Sequence, residues 1–139
     1  MSRKIARRYI FEIIFQLPFQ PDVDANLALD VYPDGYLPQI NANERSFVIE
    51  TITGVCGHLT DIDNYIGANS EGWDISRLNK IDLAVMRLAV YEMLYTDTPV
   101  GVSVNEAVDL AKMYSGDESG RFVNGVLTKI SNQPEARHA

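Results

Sequence analysis

The sequence holds one cysteine, Cys56, which excludes an internal disulfide framework and any zinc site built from cysteines. It has no apolar run of roughly eighteen residues, the length a membrane-spanning helix needs. The N-terminus starts basic but lacks the apolar stretch and small-residue cleavage site of a secretory signal. These absences lead us to expect a cytoplasmic protein with no membrane partner. Histidine is almost as scarce: there are two, His58 and His138. Residues at i and i+2 on a helix do not face each other, so Cys56 and His58 do not make a nucleophile–base pair. Gly116 and Gly120 lack the lysine and the preceding strand of a phosphate-cradling loop. The carboxylates scatter over capping positions and polar faces. We expect no enzyme, no cofactor and no metal. No segment alternates with period two and no repeat of solenoid length occurs, so a sheet or a repeat array is not expected.

What remains is a chain of 139 residues, 46% hydrophobic and 22% charged, consistent with one globular domain over 1–139. Its net charge is −7, which argues against sequence-blind adhesion to nucleic acid. The distribution is uneven. Residues 1–16 hold Arg3, Lys4, Arg7 and Arg8 against Glu12 alone, which is +3 and leaves −10 for the rest. A cationic segment on an acidic body reads either as a localised anion-binding surface or as a solvated basic helix end.

Hydrophobic periodicity predicts helices throughout. From Ser2 to about Leu17, one face carries Ala6, Tyr9, Ile10, Ile13 and Leu17. The opposite face begins with Arg3, Lys4, Arg7 and Arg8 and continues as Phe11, Ile14 and Phe15. Burying those cations unpaired would be costly, so they are expected to face water or phosphate. Residues 18–43, punctuated by prolines, read as a connector with a short helix near Asp24–Val31. Asn41 and Glu44 have capping-box spacing, and Val48, Ile52, Val55, Leu59, Ile62 and Ile66 continue one long helix. Gly54 and Gly57 within it suggest close packing against a neighbour. Ile81–Tyr95 is apolar on nearly every side, the mark of a buried central helix; it stops before Pro99. Ser103, with Glu106, is placed to cap the next helix, and Asp117 or Ser119 to cap the last. Val123, Val126, Leu127 and Ile130 face inward there, with Phe122 at the edge of the stripe. Residues 132–139 have no period and read as a flexible tail.

Arg3, Lys4 and Arg7 lie within about a turn of one another, and guanidinium groups suit phosphates and base edges. Single-stranded RNA is gripped by cations along its backbone and by stacking on unpaired bases. Arg121 and Phe122 would supply that stacking if the last helix begins near the first.

Four segments, in order, resemble the NusB family: RKIARRYIFEIIFQ (3–16), IDLAVMRLAVYEML (81–94), VNEAVDLAK (104–112) and RFVNGVLTKI (121–130). The likeness spans nearly the whole chain and is faintest over 18–43. It implies an all-α bundle of about six to seven helices in two subbundles. It further implies a transcription antitermination factor that binds the boxA segment of ribosomal RNA leaders. In this family NusB pairs with NusE, a small-subunit ribosomal protein, and the pair joins an antitermination complex on RNA polymerase. On that resemblance Arg3, Lys4, Arg7 and Arg8 match the RNA-contacting first helix, and Glu118, Arg121 and Phe122 match positions near RNA. Glu118 would act there by hydrogen bonding or restraint. Phe11, Phe15 and Asp82 match the NusE-facing side. Two other forms share the pattern: a purely protein-binding helical module, and the NusB-like domain attached to ribosomal RNA cytosine methyltransferases. No catalytic domain follows Ala139, so the free-standing factor is expected over the second. An exposed apolar stripe would also suit a homodimer.

Overall fold

The computed structural model describes residues 3–16, 42–72 and 74–133. Leu17, the 18–41 connector with its expected short helix, Asn41 of the expected capping box, Trp73, His138 and the tail beyond Gln133 lie outside the described residues. Within them the elements are α1 (Arg3–Gln16), α2 (Ala42–Gly57), α3 (Leu59–Ala68), a 3-10 turn (Ile75–Arg77), α4 (Lys80–Tyr95), α5 (Val100–Ser115) and α6 (Asp117–Ser131). The described residues contain no strand. The chain divides into two compact units, 1–57 and 58–139.

In the first unit α1 packs on α2. Ala6, Tyr9, Ile10 and Ile13 are buried, as their spacing predicts, and so are Val48, Ile52 and Val55 of α2. Each large apolar side chain withdrawn from water contributes about 1.5–3 kcal/mol. The long helix expected from residue 41 to Ile66 is two helices. The apolar spacing runs through, but the backbone turns at His58, whose φ of −117° and ψ of 19° are not helical. Gly57 meets nothing within 4 Å where a Cβ would be. It marks a helix end, and the close packing expected for it is not there.

The second unit is built around α4. Asn79 caps it, its Oδ1 accepting from the Ile81 N–H at 2.8 Å and the Asp82 N–H at 3.3 Å. Behind the cap Leu83, Ala84, Val85, Met86, Leu88, Ala89, Val90 and Met93 are all buried. The helix ends where the Thr96 hydroxyl donates to the Glu92 carbonyl at 2.7 Å. The buried Glu92 carboxylate takes a 3.2 Å bond from the Thr98 hydroxyl, so the turn into α5 is held by the helix it leaves. Arg87 makes a bidentate pair with Asp63, Nε to Oδ1 at 2.9 Å and Nη2 to Oδ2 at 2.8 Å, joining α4 to α3.

Two capping expectations fail for one reason: the chain enters each helix earlier. Pro99 is the N-cap of α5, suited by its fixed φ, and Ser103 lies buried inside the first turns. Gly116, at φ 91°, ends α5 and starts α6 at once, so Asp117 and Ser119 fall inside α6. That φ is one L side chains rarely adopt.

Candidate functional site

The basic patch of α1 is partly open and partly absorbed. Arg3 keeps 51% of its side chain exposed while its Cζ sits 3.9 Å from the centre of the Phe47 ring and Nη1 lies 3.6 Å from Glu44 Oε2. Arg8 is 50% exposed, 3.6 Å from Glu12 one turn on. Lys4 is exposed. Each pair is a long contact between a half-exposed guanidinium and a largely covered carboxylate, Glu44 keeping 12% and Glu12 16% of its side chain open. Arg7 departs from expectation. It is buried at 6% exposure, its Cζ 5.8 Å from the same Phe47 ring. Cation–π attraction to Phe47 is part of what makes that burial tolerable. Sequence reading missed Glu44 and Phe47 as neighbours of the patch, although their spacing of three already placed them on one side of α2.

Further along α1, Phe15 is 46% exposed and Phe11 only 2%, with ring centroids 6.1 Å apart. Only Phe15 offers an aromatic surface; Phe11 supports it from the core. Asp82 likewise does not present the partner-facing surface expected of it. Its side chain is buried in the first turn of α4, with Oδ1 shut off from water and unpaired. Burial raises its pKa, and a hydrogen bond from Ser119 pulls it partly back.

The second unit has a groove of about 250 Å3 between the α3 exit and α6, lined by Asn69, Ser70, Glu71, Arg121, Phe122 and Lys129 among others. Its α3 wall is fixed by local bonds: Ser70 Oγ donates to the Ile66 carbonyl at 2.6 Å and Asn69 Nδ2 to the Tyr65 carbonyl at 2.8 Å. Lys129 bonds Glu71, and bond and charge together lower the Glu71 pKa. Phe122 is half-buried along this groove; Arg121 and Glu118 are exposed. A ring edge beside an exposed guanidinium suits a stacked base and its phosphate. Neither Lys129 nor Glu71 stood out in the sequence, because both belong to ordinary polar positions.

Cys56 is half-buried and His58 exposed, its ring stacked on Tyr95 at 3.9 Å. No group of three His, Cys, Asp or Glu side chains is arranged to hold a metal among the described residues. No described helix is long and apolar enough to cross a membrane.

Comparison with known proteins places this geometry in context. The model of the NusB family matches residues 4–132. The transcription antitermination protein NusB of Acetivibrio thermocellus is 41% identical over 134 residues, covering 94% of this chain and 88% of that protein. Among solved structures, T. maritima NusB superposes with a TM-score of 0.84 at 32% identity, covering 99% of this chain and 94% of that one. A chain of the crystal structure of antitermination factors NusB and NusE in complex with dsRNA superposes with a TM-score of 0.79 at 26% identity, covering 92% and 94%.

Proposed function

Since the chain belongs to the NusB family, we propose that it is a transcription antitermination factor that binds boxA RNA of ribosomal RNA leaders as a heterodimer with NusE. The observation that carries this reading is the likeness, over 92% of this chain, to a chain of the NusB–NusE–dsRNA structure. It acts in the cytoplasm as a non-catalytic adaptor, joining RNA and NusE to the antitermination complex on RNA polymerase. Arg3, Lys4 and Arg8 of α1 supply phosphate contacts, with Arg7 holding Arg3 and Phe47 in place from below. Arg121 and Phe122 take a base and its phosphate at the groove, and Glu118 restrains the nucleotide by hydrogen bonding. Phe15 is the aromatic contact for NusE; Phe11 and Asp82 act through the residues they support.

The test is equilibrium binding of the full chain, with and without NusE, to boxA and to scrambled single-stranded RNA. Tighter binding to boxA in the presence of NusE is expected. Equal, weak binding to both RNAs whether or not NusE is present would refute the reading. Loss of RNA binding with an intact NusE complex would favour a purely protein-binding module.

A further inference from the structure

The groove between the α3 exit and α6 is lined by two cations, Arg121 and Lys129, and one carboxylate, Glu71. Arg121, Gly125 and Lys129 follow one another at intervals of four, so they share one stripe of α6. Along the helix axis the two cations stand about 12 Å apart. Gly125 between them is exposed, and a Cβ there would meet nothing within 4 Å. The stripe is an open track with a positive charge at each end, and Phe122 lines the same groove.

The two charges are not equally available. Arg121 is exposed, whereas Lys129 Nζ donates to Glu71 Oε1. The turn that brings Glu71 there has little freedom. Asn69 Nδ2 and Ser70 Oγ donate to the carbonyls of Tyr65 and Ile66. Gln133 Nε2 donates to Asn69 Oδ1 at 3.3 Å, which ties the turn to the chain just beyond α6. Glu71 itself stands at φ 49°, the one non-glycine residue with positive φ among the described residues. Left-handed backbone is disfavoured for a residue with a Cβ and persists only where its surroundings hold it.

Stability does not account for this pair. Glu71 keeps 77% of its side chain exposed and Lys129 47%, and an ion pair between groups so open contributes little. What the carboxylate does is occupy the ammonium. A phosphodiester offers the same single negative charge and the same kind of acceptor oxygen, so the two compete for Lys129. Exchanging one for the other gains little. It also leaves an unpaired carboxylate in a groove that now holds a phosphate, a repulsion that reaches roughly 10 Å at about 0.1 M salt.

We propose that Glu71 is a built-in competitor of RNA: its carboxylate fills a phosphate subsite at Lys129, and a strand lying along the Phe122 groove must displace it. This rests on the RNA-binding reading and adds a restraint to it. A contact residue weakens binding when it is removed; removing Glu71 strengthens it.

The experiment measures RNA affinity of the NusE complex against salt, on boxA and scrambled RNA, for Glu71→Gln, Lys129→Met and the two combined. Glu71→Gln keeps the shape and removes the charge. It should tighten both RNAs by about 3-fold and steepen the slope of log K against log salt by about 0.7, the increment for one further phosphate on a single strand. With Lys129→Met already present the same change should tighten binding much less, because the contested ammonium is gone. Affinity and slope unchanged by Glu71→Gln would refute the competitor and leave RNA binding standing. Weaker binding would refute it too, by making Glu71 a group that accepts from RNA. An equal gain with and without Lys129 would reduce the effect to general repulsion and overturn it as well. Failure of the unchanged complex to bind either RNA would overturn the RNA-binding reading together with it.

Discussion

Asp82 shows how a residue chosen from sequence for one role is given another by burial. A carboxylate in the first turn of a helix normally helps its own terminus; this one is enclosed and shared with Ser119 of another helix. Because burial raises its pKa above the unfolded value, ionising it opposes folding. The associated stability is present below the ordinary Asp pKa and lost as pH rises through the raised one. Asp82→Asn should therefore raise the melting temperature at neutral pH, with the gain shrinking as pH falls toward 4, about the ordinary carboxylate range. A gain that is constant with pH would show that ionisation is not its cause. Phe122 is the opposite case, a half-buried ring beside a groove. Phe122→Ala should lower RNA affinity by roughly 1–3 kcal/mol, the range for a lost stacking aromatic, and change stability far less. Truncating the enclosed Phe11 should instead destabilise the fold by about 3–5 kcal/mol. Calorimetry beside an anisotropy titration separates the two, and a stability loss at Phe122 as large as at Phe11 would make it a core residue.

At the scale of elements, periodicity made α1, α4, α5 and α6 legible because each buries a stripe or a whole surface: Val123, Val126, Leu127 and Ile130 are buried where their spacing puts them. The ends were less legible. Ser103 and Ser119 look like caps in sequence, but Pro99 and Gly116 fix the backbone several residues earlier, and a dihedral constraint outranks a side-chain acceptor. The Asn79 cap of α4 was overlooked, although Asn79 and Asp82 stand at cap and N3. The break at His58 was invisible because Val55, Leu59 and Ile62 keep helical spacing across it. Arg7 illustrates the same limit for the site: charge predicts exposure, whereas the fold covers this guanidinium, with Phe47 of α2 as one of its neighbours. Gly116 gives the sharpest test at this scale. With φ at 91° and ψ at −177°, any side chain is strained, so Gly116→Ala should destabilise by about 1–3 kcal/mol in urea unfolding. Space is not the issue, since a Cβ there meets nothing within 4 Å. A midpoint unchanged from the parent would mean the α5–α6 corner relaxes without penalty.

For the whole molecule, a net charge of −7 sets the terms on which a polyanion can bind at all. Repulsion from the acidic body acts at long range and is screened within about 10 Å at 0.1 M salt, whereas contacts at the cations are local and release counterions. RNA affinity of the NusE complex should accordingly fall steeply with salt. The α1 contribution can be isolated with Arg3→Ala and Lys4→Ala together; Arg7 is a poor choice because truncating a buried side chain would confound charge with packing. Removing two phosphate contacts to single-stranded RNA should lower the salt slope by about 1.4, at roughly 0.7 per contact, and weaken boxA and scrambled sequences by similar factors. Phe15→Asp should do the reverse, loosening the NusE complex in calorimetry while leaving the melting temperature of the free chain near its starting value, because the ring is already half in water. A double α1 variant whose slope equals that of the unchanged protein would remove the first helix from the RNA contact and leave the groove at Phe122 to carry it alone.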